Sequence, residues 1–316
     1  MLNPLQQPDY HPSFSGHETF PLRYGWLKKS YDEVKRTQLK IKNKSIFISE
    51  DSIARFGVGK NMVTSMRHWS SFSDVITDRS DGQGFSTTEL GDLIFSEEGC
   101  DPFMETPSTL WLIHWKLAGR EAKTTWFWAF NIFSGQFFER ETLVGGLGKL
   151  ANHQGWSRVA AATLKRDVEC FVRTYVARPL ASNVAHDDAL ESPLAELGLI
   201  KAVGKRDGFR FVRGPKPTLG QGVFAYALLE FWDKVSSSNS LSFEMIAQAP
   251  GSPGRVFLLD ENDVADRLID IETVTGGLLK WSETAGLKQV LRRPGVGSVD
   301  ALKLVQFDYR SQVEAA

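Results

Sequence analysis

The chain has 316 residues and a formal net charge of -1, with 42% hydrophobic and 24% charged residues. These values fit a folded globular protein with a sizeable core, long enough for two or three domains. They exclude attraction to polyanions through overall charge, so any nucleic-acid contact has to come from a local patch.

In chain order, Pro4, Pro8 and Pro12 make residues 1–20 irregular up to the element SGHETFPLR (Ser15–Arg23). Pro21–Leu39 predicts a helix with Tyr24, Leu27, Tyr31 and Val34 as its apolar stripe. The region is also basic: Arg23, Lys28, Lys29, Lys35, Arg36, Lys40, Lys42 and Lys44 stand against only Asp32 and Glu33. Such a cluster favours polyanions, and it equally suits a solvated helix face. Ile46–Ile48 reads as a short strand. Ser49–Trp69 then reads as a short helix, a turn around Gly57 and Gly59, and a second helix. Val58, Met62, Met66 and Trp69 recur at i, i+4, i+8 and i+11, a buried stripe. Lys60, Asn61, Thr64, Ser65, Arg67 and His68 fall off that stripe. They carry cations for phosphates, and an amide and hydroxyls for base edges. A solvated helix in any soluble protein satisfies the same pattern.

Phe85–Phe95 suits the wing of a winged helix, with Thr87 or Thr88 capping a short helix. Pro107–Leu117 begins another helix, with proline in its first turn. TTWFWAFNIF is a buried strand or a helix start, which periodicity cannot arbitrate. Arg140–Ala151 and Ser157–Val176 form a second helix pair with Ser157 as N-cap. Arg158, Lys165, Arg166 and Arg173 lie off its stripe, diluted by Asp167 and Glu169; a structural role suits them better than DNA contact. From about Ala185, SPLAELGLIKAVG and GFRFVRG read as helix, strand, turn and strand, with Lys205, Arg206, Arg210, Arg213 and Lys216 as a basic edge. Gly222–Val235 is an apolar helix. VFLLDENDVADRLIDIE reads as a strand followed by a helix capped by Asp260 or Asn262, and Gly276–Phe307 as a helix and a terminal strand.

Cys100 and Cys170 are far apart and lack metal-site spacing, which points to a reducing, cytoplasmic compartment. The first residues lack a signal-peptide pattern. Charges interrupt the most apolar stretch, Leu110–Phe138, so no membrane span is expected. FGVGKN and GGLGKL lack the phosphate-loop pattern and lie in helical pairs, so no nucleotide is expected. The acidic run Asp260–Glu272 lacks calcium-loop spacing and is better read as a capped, solvated helix. In SGHETFPLR, His17 is a candidate general base. Glu18 could hold a metal or orient His17, and Arg23 could stabilise charge on a phosphate. The structural alternative is that His17 and Glu18 fix a loop against the first domain. No recognised nuclease motif is present, and no metal ligands are assigned.

FSGHETFPLRYGWLKK (Phe14–Lys29) and FGVGKNMVTSMRHW (Phe56–Trp69) together resemble a bacterial family encoded beside PAPS-reductase-like enzymes. This family is the B component (SspB-like) of Ssp-type DNA phosphorothioation, a phage-defence system. The resemblance implies a DNA-binding protein that nicks one strand. It would act with a cysteine desulfurase, a PAPS-reductase-like enzyme and an ATPase that replace a phosphate oxygen with sulfur.

The expected fold is mainly α with small β elements, in tandem winged-helix or helix-turn-helix-like units. Residues 1–122 would form a winged-helix-like DNA-binding domain, 123–184 a central helical domain and 185–316 a winged-helix-like α+β domain. Lys28, Lys29, Lys60, Asn61, Thr64, Arg67 and His68 are the expected contacts to double-stranded DNA. His17, Glu18 and Arg23 are the catalytic candidates, with magnesium or manganese as the compatible metal. The rival reading is a non-catalytic adaptor or regulator that recruits the sulfur-transfer enzymes. A homodimer is compatible with the sequence.

Overall fold

The computed structural model describes residues 3–40, 42–157, 159–177, 192–204, 207–284 and 286–314. Arg158, Lys205 and Arg206, read above as surface cations, lie outside the described residues, as does the expected boundary after residue 184. The fold is mainly α with small antiparallel sheets, as expected.

The first segment contains α1 (Trp26–Thr37), α2 (Asp51–Phe56) and α3 (Lys60–Phe72). A hairpin of β1 (Ile76–Asp78) and β2 (Phe85–Thr87) follows, with Ile76 opposite Thr87, then α4 (Glu89–Phe95). Gly57 ends α2 at φ 68, a left-handed position that a Cβ would strain, and its N–H donates to Ile53 O at 2.9 Å. Thr88 caps α4 by accepting from the Gly91 N–H at 2.9 Å. Ile46–Ile48 is not a strand; Lys44–Phe47 forms a 3-10 turn. Asn43 explains the difference. Its Oδ1 accepts from Phe85 N–H at 2.7 Å and its Nδ2 donates to Phe85 O at 2.9 Å, so one side chain satisfies the β2 groups that a neighbouring strand would take.

The middle segment opens with α5 (Pro107–Ala118), buried from Ser108 to Ala118 because it runs through the core. The ambiguous aromatic run is helical: α6 (Thr124–Phe127) passes into a π-helical turn at Trp128–Ile132. Then come β3 (Phe137–Phe138), α7 (Arg140–His153) and α8 (Ala161–Tyr175). The N-cap of α8 is Ala160 rather than Ser157. A 3-10 turn at Pro193–Leu197 leads to β4 (Ile200–Val203) and β5 (Gly208–Phe211). This hairpin, grouped by sequence with the residues after it, pairs with the middle segment: Phe138 lies opposite Phe209.

The last segment has α9 (Gln221–Val235), β6 (Ser240–Ser242), α10 (Phe243–Gln248), α11 (Pro253–Val256) and α12 (Glu261–Ile269). It continues through α13 (Ile271–Val274), β7 (Leu279–Thr284), β8 (Leu287–Arg292) and α14 (Ser298–Glu314). The expected strand before Asp260 is absent, because Val256–Leu259 is a fully buried run whose lack of period says nothing about its shape. Asp260 caps α12 in a capping box with Asp263. The tail holds the β7–β8 hairpin and ends in a helix, the reverse of the expected order. The two three-stranded sheets share one arrangement: β3-β5-β4 and β6-β8-β7 both set the strand before the helices against the last strand of the hairpin.

One charge network ties the segments together. Lys116 reaches Glu230 at 2.6 Å and Asp74 at 3.0 Å, and Arg120 reaches the same two carboxylates at 2.5 and 3.0 Å. Burial pushes the Glu230 carboxyl up, but Lys116 and Arg120 outweigh it and hold it at about 2.

Candidate functional site

The exposed face of α3 is set by its inner one. Val63, Met66 and Trp69 are buried, so residues 60, 64 and 67, at i, i+4 and i+7, turn outward together. Lys60, Asn61 and Arg67 are exposed and Thr64 is half-buried, its Oγ1 donating to Lys60 O at 3.3 Å. The Lys60 and Arg67 side chains have no ion-pair partner among the described residues. The α1 cations differ. Lys28 pairs with Asp32 at 2.6 Å, Lys35 with Asp92 at 2.8 Å and Arg36 with Glu33 at 2.7 Å, while Lys29 donates to Phe56 O at 3.4 Å. Three of the cluster's eight cations are therefore paired with carboxylates of the chain itself.

His68 does not share the exposed face. It is buried because the loop before α1 covers that side of α3. A Cβ on Gly16, whose φ is +98, would meet His68 Nδ1 at 2.6 Å, so only glycine permits this approach. The loop is pinned along its length. Ser65 Oγ donates to His17 O at 3.0 Å and Trp69 Nε1 to Phe20 O at 3.0 Å. From α8, Cys170 Sγ donates to Phe20 O at 3.4 Å and Arg173 to Thr19 O at 3.3 Å. Glu18 and Thr19 sit at φ 46 and 65. Two successive side-chain-bearing residues in the left-handed region cost about 1–2 kcal/mol each, a strain that surrounding contacts have to hold in place.

Beneath the loop lies a buried charge cluster. His17 Nδ1 accepts from the Thr19 N–H at 3.0 Å, which assigns the hydrogen to Nε2, and Nε2 donates to Asp167 Oδ1 at 2.8 Å. Lys123 Nζ lies 3.7 Å from the same oxygen and donates to His68 Nε2 at 3.2 Å. Its ammonium also sits 4.1 Å from the Trp126 ring centre. Burial pulls Lys123 down, opposed by Asp167. Burial pushes Asp167 up, but Lys123 and the His17 hydrogen bond outweigh it and hold its carboxyl low. Burial, reinforced by Lys123, keeps His68 neutral. Lys123 and Asp167 were invisible as site residues in the sequence; nothing in their neighbours marks them.

The loop, the first turn of α3 and the first turns of α8 enclose a cleft of about 300 Å³, lined by Phe14–Thr19, Asn61, Thr163 and Arg166. Of the three catalytic candidates, the structure leaves only Glu18 exposed. His17 is 3% exposed with both ring nitrogens engaged, and Arg23 is 6% exposed, packed 5.5 and 5.6 Å from the Phe20 and Trp26 ring centres. Among the described residues no three metal-ligating side chains converge. Glu18 is the one carboxylate lining the cleft, and Asp167 is committed to His17 and Lys123. A lone carboxylate can hold magnesium only where water or a phosphate completes the shell, and no chemical step is assigned to a metal.

Residues 14–306 match the family described as protein of unknown function (DUF4007). The chain belongs to that family. Two solved structures are similar to this DUF4007 protein over nearly its whole length. One is a crystal structure of SspB, with a TM-score of 0.79 and 29% identity over 96% of this chain and 88% of that one. The other is a magnesium ion-bound SspB crystal structure, with a TM-score of 0.78 and 26% identity over 97% and 98%. No curated protein matches significantly. The SspB-like resemblance carried by Phe14–Lys29 and Phe56–Trp69 is therefore borne out. Among the described residues no helix is long and apolar enough to cross a membrane.

Proposed function

We propose that this DUF4007 protein is the DNA-targeting component of a DNA phosphorothioation defence system in the cytoplasm. The observation that carries the reading is the α3 face: Lys60, Asn61, Thr64 and Arg67 point outward from a helix–helix–helix–hairpin segment, in a chain similar to SspB. We read this segment as a winged helix with α3 as its recognition helix, and the 107–211 and 221–292 segments as two further units of the same plan. Their shared strand order supports that division over the boundaries at 122 and 184. Lys60 and Arg67 would hold phosphate or guanine, and Asn61 would pair with adenine. His68, turned inward, positions the loop instead. Lys28 and Lys29 are engaged with Asp32 and Phe56 O and would add phosphate contacts at the cost of those interactions.

Strand nicking, with a cysteine desulfurase, a PAPS-reductase-like enzyme and an ATPase as partners, is the activity this reading extends to. Glu18 is then the group that reaches DNA, and His17 and Arg23 are positioning residues. A second reading, a non-catalytic adaptor that recruits the sulfur-transfer enzymes, is favoured by one observation: neither nitrogen of His17 is free to take a proton. One experiment separates the two. Pure protein is incubated with supercoiled plasmid, with and without magnesium or manganese. Conversion to open circle that is lost in Glu18→Gln supports nicking. A persisting gel shift without open circle leaves the adaptor, and no gel shift at low salt removes DNA targeting altogether.

A further inference from the structure

The cleft beside α3 joins two segments far apart in sequence. Asn61 lies on one wall, and Thr163 and Arg166 lie on the other, with the Gly16–Thr19 loop as floor. Arg166 is exposed and, among the described residues, has no ion-pair or hydrogen-bond partner. The neighbouring cation is not free in this way: Lys165 pairs with Glu141 at 3.1 Å. Asp167, the next residue, faces inward and locks α8 to the loop through His17. The cleft walls are thus fixed to each other by buried contacts before anything binds. An unpaired guanidinium held on a rigid wall beside an exposed amide suits a phosphate, which a guanidinium can grip with two parallel hydrogen bonds. Glu18 is the opposing charge in the cleft and is exposed at its mouth.

We propose that this cleft takes the sugar–phosphate backbone of the same duplex that α3 reads, with Arg166 gripping a phosphate from the α8 wall while Asn61, on the α3 wall, reads the adjoining base. The middle segment is then a second point of DNA contact rather than a structural spacer. The proposal rests on DNA targeting by α3, and its test keeps the two apart.

Affinity for a labelled duplex is measured by anisotropy across a salt series, for the full chain and its variants. One released counterion at about 0.1 M salt is worth roughly eightfold in affinity. Arg166→Ala should weaken binding by about that factor and lower the slope of log K against log salt by about one. Arg166→Lys, which keeps the charge, should restore most of the affinity and the slope. Glu18→Gln should tighten binding, by roughly two- to fivefold, by removing a like charge. Because Arg166 is exposed and unpaired, its variants should melt with the parent. An unchanged affinity and slope in Arg166→Ala, while Lys60→Ala/Arg67→Ala still weakens binding, overturns the cleft and leaves the α3 reading intact. Unchanged binding in both sets, or no binding by the parent, overturns both.

Discussion

Replacing Asp167 by Asn removes one charge and almost no volume, which makes it the sharpest probe of the cluster beneath the loop. The amide oxygen can still accept from His17, so that 2.8 Å hydrogen bond survives. What is lost is the counter-charge to Lys123, 3.7 Å away and fully buried. Breaking a buried pair this way costs about 3–5 kcal/mol. The cost has a ceiling. Lys123 can shed its proton, and at pH 7 a lysine with an unfolded pKa near 10.4 does so for about 5 kcal/mol. With an unfolding entropy of about 2.1 cal/mol/K per residue, the 316-residue chain should lose roughly 5–8 °C in Tm. The pH dependence gives the stricter check. In the variant Lys123 is neutral when folded and protonated when unfolded, so the unfolded state binds more protons and stability rises with pH. The slope is about 1.4 kcal/mol per pH unit until the unfolded pKa is reached. Thermal melts at pH 7, 8 and 9 should show the variant recovering towards the parent. Adding Lys123→Met should remove both the slope and most of the loss, a non-additive cycle. A Tm within 1 °C of the parent at pH 7, or a loss that does not change with pH, refutes the assigned pairing.

Lys60→Ala/Arg67→Ala should weaken duplex binding by more than tenfold and lower the salt slope by about two, read by gel shift across a salt series; an unchanged shift removes α3 from the interface. Gly16→Ala places a Cβ 2.6 Å from His68 Nδ1 at a φ of +98. It should cost about 1–3 kcal/mol by denaturant melts and loosen the cleft, so that Arg166→Ala matters less in its background. Glu230, held at about 2 by Lys116 and Arg120, binds protons more readily unfolded than folded. It contributes stability above the unfolded carboxyl range that fades as pH falls towards 2, about 3 kcal/mol in all, and Glu230→Gln should flatten that part of an acid melt. Asp260→Ala should cost about 1 kcal/mol through loss of the α12 capping box, without changing DNA affinity.

The helix pair was legible because its signals are local. Gly57 marks the turn, and the positions of Met66 and Trp69 follow from helical geometry alone. The caps Thr88 and Asp260 were readable for the same reason. His68 was misplaced because a stripe argument assumes one buried face, whereas α3 is covered on two sides, by the core and by the Gly16–Phe20 loop. Lys123 and Asp167 were missed because they reach the cluster only through chain folding, Asp167 meeting His17 across 150 residues and Lys123 meeting His68 across 55. The strand order β3-β5-β4 was hidden for a related reason: β3 is two residues long, too short for any alternating pattern to register.

The 150-residue separation between His17 and Asp167 also has a consequence in time. A ribosome that has just made the loop and α3 can seat the loop only on that helix until α8 emerges. At 5–20 residues per second that takes about 8–30 s. Until then His17 lacks its acceptor and the left-handed pair Glu18–Thr19 lacks the Arg173 contact that helps hold it. Nascent chains stalled before residue 161 should therefore leave the loop more open to protease than in the full chain while α3 is already protected, so the cleft between the loop, α3 and α8 is completed in two stages, late and from the middle of the chain.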